Sequence, residues 1–510
     1  MGFTQDFIAK ELKVSRQAIS NWEKESRNID VDELLKYAKI LEISFEDLEK
    51  NLNQSINPSA DYTNIDDPKK ISTHLFRAIK ATPVNDKIRR NVKIEGDKVV
   101  GVHALLSSLF LNQNTLTLNN CPTAFDFLNV LYLFANNGWV DAHVSKDAIT
   151  LTAGTAPFNI TLLNKVSRAS IGVISALTYK YHQLLFSFPG GNDFCDRPID
   201  LHLEILATIS NYQYDASANT FYAEKKDTLN RNLVLNCYAD GSKSVGAFFN
   251  ALSLAYVYPN ALKINGLSQD PTILFLIAML EKSTNRVVIH PAADKILIPA
   301  VDALVARDCQ VTLPPDMTML VSYVLLLWDR LETITFSNVK ICEIPQNYAE
   351  LFENLGLALA ESDHTLVFHK VAKINEEYFE FLRLGSPPQI TTDLGPIISE
   401  FLAFRNIPSI LLDEVFGNRS SHISELQRLG INIKCLRNGA LKTQARSKQA
   451  ANQNDVFDLQ DIRAGMAITM GLVHRQIPAA LLLNYDQLLR GFGNIQSALS
   501  LSGYEGEIYG

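Results

Sequence analysis

The chain has 510 residues, 47% of them hydrophobic and 20% charged, with a net charge of −8. These values exclude a disordered or fibrous protein and predict about three domains; with no basic field over the whole molecule, any nucleic-acid contact must be local. Six scattered cysteines with no CxxC pair argue against a disulfide framework and a zinc site. The longest apolar runs, such as PTILFLIAML at 271–280, fall short of a bilayer span, and no basic-then-apolar leader opens the chain. The expectation is a cytoplasmic protein with no membrane contact, no metal and no cofactor.

Taken in chain order, residues 4–49 are helical by pattern: Phe7, Ile8 and Leu12, then Ala18, Ile19 and Trp22, recur at helical spacing before VDELLKYAKILEISFEDLEK. Thr4 and Ser15 are placed as N-caps, and Asp30 or Asp32 opens the next helix. The segment TQDFIAKELKVSRQAISNWEKE resembles the helix-turn-helix of XRE-type regulators. That resemblance implies a second helix entering the major groove, with Arg16, Gln17, Ser20 and Asn21 facing bases or phosphates and Gln5 at a phosphate-contacting position. It also implies a homodimer on paired half-sites. The family has a complete helix before this point, whereas this chain opens MGFTQ, so either the start is set too late or the bundle lacks one wall.

Residues 51–69, NLNQSINPSADYTNIDDPK, are polar with Pro58 and Pro68, which is linker chemistry. Beyond them a unit of helix, strand, second helix and turn recurs; GVHALLSSLFLNQNTLTLNNCPTAFDFLNVLYLFANNGW (101–139) and SVGAFFNALSLAYVYPNALKINGLSQDPTILFLIAMLEK (244–282) are two copies. Further copies begin near Arg168, Thr318, Thr392 and Arg463, so six fill residues 92–510. Such a repeat predicts sheets covered by helices, an α/β class in two lobes of three units, preceded by a small all-α module. His364 and His369 sit at odd spacing on opposite faces of an expected strand, which makes a metal site there a poor reading.

FPGGNDFCDRPIDLH at 188–202 combines a Pro-Gly-Gly turn with a cysteine, acids and one arginine. With RASIGVI before it and SVGAFFNALSLA after it, the loop resembles UDP-N-acetylglucosamine enolpyruvyl transferases, whose signature is a PGG turn, five loop residues and RPxDLH. The resemblance continues in family order through KIEGDK (93–98), NGLSQDP (265–271), TTDLGP (391–396), FGNRSSHISELQRLGI (416–431), DIRAG (461–465) and LLRGF (488–492). It implies an inside-out α/β barrel fold of two lobes closing on ligands, with helix N-termini directed at anions. The organisation expected is a DNA-binding domain at 1–52, a linker at 53–90, lobe 1 at 91–315 and lobe 2 at 316–510.

The same resemblance implies roles. Lys98, Arg197 and Arg490 would clamp phosphoenolpyruvate, and Arg168, Arg419 and Arg463 would line the cleft. Asp393 would take or orient the sugar hydroxyl proton. Pro198, Ile199, Asp200 and Leu201 would border the uracil pocket, and Ser244, Val245 and Gly246 would meet the diphosphate. Asn192 stands where the family carries its reactive cysteine or aspartate, and an amide has no proton to give at neutral pH. Cys195 and Asp193 are out of register with that position, Val99 replaces an asparagine, and Met317 an arginine. Three readings follow. One is a DNA-binding regulator whose transferase-like lobes bind nucleotide sugar and phosphoenolpyruvate. Another is an active transferase of peptidoglycan precursor synthesis with a DNA-binding arm. The third has the lobes acting only as a dimer platform, which the retained arginines disfavour.

Overall fold

The computed structural model describes residues 76–81, 90–112, 114–145, 148–190, 198–239, 242–267, 270–362, 365–386, 388–416, 419–445 and 455–509. The DNA-contact candidates Gln5, Arg16, Gln17, Ser20 and Asn21, and the loop residues Asn192, Asp193, Cys195 and Arg197, lie outside the described residues. Two compact units divide the chain, residues 1–66 with 142–150 and residues 67–141 with 151–510. The fold and site below belong to the second.

The second unit is built from helices sunk among small mixed sheets. In its earlier part, Asn232–Asn236 runs parallel to Ala261–Asn265, which continues antiparallel to Lys295–Ile298. A three-stranded sheet orders Gln183–Ser187, Thr220–Lys225 and Ser210–Asp215. In its later part, Phe381–Leu384 lies parallel to Ile410–Asp413, which pairs antiparallel with Leu441–Thr443.

Two early strands join sheets far along the chain. Arg90–Lys93 lies parallel to Ile334–Ser337. Phe76–Ala81 lies between Ala479–Leu483 and Tyr504–Tyr509, antiparallel to both. That strand falls inside the stretch expected to be linker; FRAIKA is short enough to be masked by its polar flanks, and its partners are some four hundred residues away in sequence. The buried cluster of the later part accordingly takes in Val92 and Ile94, then residues from Met317 to Tyr504.

The chain crosses between these parts twice, side by side. Asp97 N donates to Pro314 O at 2.7 Å and Asp316 N to Glu95 O at 2.9 Å. Gly96 is required at this crossing, because a Cβ there would lie 2.0 Å from the Asn120 carbonyl oxygen.

Apolar residues on every side place several helices at the centre rather than on the surface. All ten residues of Gly395–Phe404 are buried, as are all but Val473 of Ile462–His474. The Met317–Leu326 helix, MTMLVSYVLL, is of the same kind. First amides in the interior need partners; Gly395–Phe404 has no side-chain cap and carries Pro396 in its first turn, whereas polar caps serve the others. Asp97, Ser244, Asp316 and Asp461 accept from the first-turn amides of the helices that begin at Lys98, Val245, Met317 and Ile462.

Candidate functional site

Two carboxylates organise four of the six cleft cations singled out in the sequence. Asp126, in the first turn of Phe125–Asn136, accepts from Lys98 Nζ at 2.9 Å on one oxygen and from Arg490 Nε at 2.7 Å on the other. Lys98 opens the Lys98–Ser108 helix, and Arg490 follows the Tyr485–Leu489 helix near the other end of the chain. Burial pushes the Asp126 carboxyl up, and the charges of Lys98 and Arg490 more than reverse this, so it is held below the usual range. Arg490 can come this close because Gly491 and Gly493 flank Phe492: a Cβ on Gly493 would lie 2.2 Å from Thr123 O, and one on Gly491 2.3 Å from Ile462 Cγ2.

Asp393 forms the second node, in the short Thr392–Leu394 turn that leads into Gly395–Phe404. Its oxygens accept from Arg419 at 2.9 Å and Arg463 at 2.6 Å. Both guanidiniums are buried, and each packs over a ring, Phe416 for Arg419 and Phe492 for Arg463. Burial alone would raise the Asp393 carboxyl; the charges of Arg463 and Arg419, with a contribution from Lys98, hold it well below the carboxylate range. A carboxylate so stabilised is a weak base and a good orienting acceptor.

Next to Lys98, at the cap of its helix, is a carboxyl group that motif reading left unassigned. Asp97 Oδ1 accepts from Val99 N at 2.8 Å and Val100 N at 2.9 Å. Burial, then the neighbouring charge of Asp316, raises its carboxyl to about 7. Asp316 is raised too, by burial, against the lowering charge of Arg463. Among the described residues no group of three His, Cys, Asp or Glu side chains is placed to hold a metal ion.

A second set of sequence candidates gathers around His202. Asp200 opens the Asp200–Ile209 helix, Ile199 is buried before it and Pro198 is exposed. A Cβ on Gly246 would stand 3.3 Å from the His202 ring, so the start of Val245–Ser253 lies against it. Asn250 Nδ2 donates to His202 O at 3.3 Å, while its Oδ1 accepts from Ser175 N at 3.2 Å. Burial, followed by the charge of Arg168, lowers His202 to about 4, so the ring is neutral. Val99 is exposed beside Lys98, and Met317 is buried at its helix start.

Buried helices whose polar-capped starts carry Lys98 and Arg463, on a chain that crosses twice between its parts, belong to a fold shared with enolpyruvyl transferases. The chain belongs to the EPSP synthase (3-phosphoshikimate 1-carboxyvinyltransferase) family, which it matches over residues 84–494, and residues 1–48 match a helix-turn-helix family. Among its relatives is the UDP-N-acetylglucosamine 1-carboxyvinyltransferase of Acinetobacter baylyi, 24% identical over 82% of this chain and 96% of the relative. The UDP-N-acetylglucosamine 1-carboxyvinyltransferase 2 of Streptococcus mutans is 24% identical over 82% and 97%. The solved enolpyruvyl transferase NikO of Streptomyces tendae superposes with a TM-score of 0.71 at 15% identity, over 86% of this chain and 99% of that one. An EPSP synthase of Acinetobacter baumannii gives a TM-score of 0.56 at 11% identity, over 85% and 100%. Among the described residues no helix is long and apolar enough to cross a membrane.

Proposed function

We propose that the protein is a DNA-binding regulator whose transferase-like lobes bind a UDP-N-acetylglucosamine-type nucleotide sugar, together with phosphoenolpyruvate, and pass that occupancy to the N-terminal module. The observation that carries this reading is the joining of a helix-turn-helix match and an enolpyruvyl transferase family match in one chain. The names of the relatives supply the nucleotide sugar. In this reading the chain divides into a DNA-binding domain at 1–52, a linker from 53, and lobes at 91–315 and 316–510. Phe76–Ala81 and Arg90–Lys93 are lent to the second lobe, and the buried helices with their sheets are six copies of one unit.

The proposed ligand site uses what the helix starts provide. Ser244, Val245 and Gly246 meet the diphosphate with first-turn amides, Pro198 to Leu201 border the base, and Arg168 and Arg197 supply positive charge. Lys98 and Arg490 take the smaller anion, exchanging Asp126 for it in part. Asp393 accepts the sugar hydroxyl. Its strongly stabilised charge suits holding that hydroxyl better than removing its proton. Asn192 at the family's cysteine position supports binding without turnover.

The second reading, an active transferase, is favoured by the survival of Lys98, Asp393, Arg419, Arg463 and Arg490 in contact with one another or with one partner carboxylate. In it the sugar hydroxyl gives its proton to a base and its oxygen bonds to C2 of phosphoenolpyruvate as a proton adds at C3; loss of a proton from C3 then restores the double bond while the C2–O bond to phosphate breaks and phosphate leaves. Phosphate release from phosphoenolpyruvate and UDP-N-acetylglucosamine separates the two. The regulator reading expects saturable nucleotide-sugar binding with no release. Release that disappears in Asp393→Ala establishes the enzyme instead.

A further inference from the structure

The buried helices that start at the candidate site end at a cavity on the opposite side of the earlier part of the fold. Phe110 and Asn112 follow Lys98–Ser108, Tyr179 and Lys180 lie in the last turn of Ile174–Tyr181, and Tyr256 follows Val245–Ser253. The cavity holds about 320 Å³, enough for a small organic molecule. A helix of eleven residues puts it about 15 Å from Lys98.

Its lining has a definite chemistry. Lys180 and Lys225 both face it, and no carboxylate is among the described residues that line it. Lys180 Nζ donates to Leu109 O at 2.7 Å, which accounts for that ammonium as a partner of a helix-end carbonyl. Lys225 Nζ instead sits 4.1 Å from the centre of the Tyr179 ring. Phe110 and Tyr256 are stacked with centroids 5.8 Å apart, adding a flat apolar wall. Burial lowers the Lys180 ammonium, as expected for a desolvated cation whose charge is not answered nearby. Two ammonium groups and aromatic faces around a ligand-sized space suit a molecule with an anionic end and a ring.

We propose that this cavity is an accessory binding site for a small ring-bearing organic anion, its carboxylate or phosphate between Lys180 and Lys225 and its ring against Tyr179 and Phe110. The site is separate from the cleft and does not depend on what the cleft binds. Phenyl phosphate titrated into the full chain by calorimetry tests it, with phenol as the uncharged control and UDP-N-acetylglucosamine titrated into the same samples to report the cleft. The expected result is phenyl phosphate binding that persists in Lys98→Ala and weakens about tenfold in Lys225→Gln and in Tyr179→Leu, with phenol at least as weak. Thermal melts of the two variants near wild type show that they are folded. Unchanged affinity in folded Lys225→Gln, or loss of all phenyl phosphate binding in Lys98→Ala, overturns the proposal. Nucleotide-sugar binding bears only on the function of the cleft.

Discussion

Asp97 performs two tasks that pull against each other. Its carboxylate caps a buried helix, which favours the charge, while burial and Asp316 oppose it. The folded carboxyl titrates at about 7 and the unfolded one near the ordinary value of about 3.9, so between these the native state holds the extra proton. Its contribution to stability is fully present below about pH 4 and is lost as pH rises through about 7. Asparagine caps as well as aspartate and carries no charge. Asp97→Asn is therefore expected to gain about 1–3 kcal/mol at pH 8 and little at pH 4, as measured by urea unfolding at the two values. Asp393 gives the opposite case. Asp393→Asn leaves Arg419 and Arg463 buried beside a neutral amide and is expected to cost about 3–5 kcal/mol in the same assay at neutral pH. The paired residues were legible as motifs because each stands in a recognisable string such as TTDLGP or DIRAG. Asp126 was not: FDFLNVLY reads as an ordinary helix start, and its partner Arg490 is 364 positions away.

At the scale of elements, the segment carrying Arg490 depends on glycines that let it reach the earlier part of the chain. Gly493→Ala puts a Cβ against the Thr123 backbone, which cannot yield as a flexible side chain would. The variant is expected to lose about 1–3 kcal/mol of stability and to weaken the proposed phosphoenolpyruvate binding, whereas Ser497→Ala, at an exposed position of the following helix, should do neither. Two helix starts lay where the repeat units were read to begin, at SVGAFF and near Arg463; the caps there, Ser244 and Asp461, were not picked out from the sequence. The strand at Phe76–Ala81 was not visible, since six residues between polar flanks carry little periodicity and the sheet that holds them is assembled from the far end of the chain.

For the whole molecule, buried histidines shape the acid limb of stability, and burial lowers His103, His202 and His422 alike. His202 and His422 are each lowered to about 4, mainly by burial, with Arg168 acting further on the first and Arg419 on the second. Both bind protons more readily when unfolded, so their contribution is lost as pH falls from about 6.5 towards 4, at about 1.4 kcal/mol per pH unit for each. Asp97 works in the other direction over this whole range and offsets about one of the two histidines. The net expectation is a melting temperature that falls on acidification, more shallowly in His422→Gln than in wild type. The proposed coupling of nucleotide-sugar binding in the lobes to DNA binding by the N-terminal module is tested most directly by one measurement. A duplex selected from a randomised pool by the full chain is titrated with and without saturating UDP-N-acetylglucosamine. The account predicts that the nucleotide sugar shifts DNA affinity by about tenfold, and that Ser244→Pro together with Arg168→Ala abolishes the shift; identical affinities at saturating nucleotide sugar would contradict it.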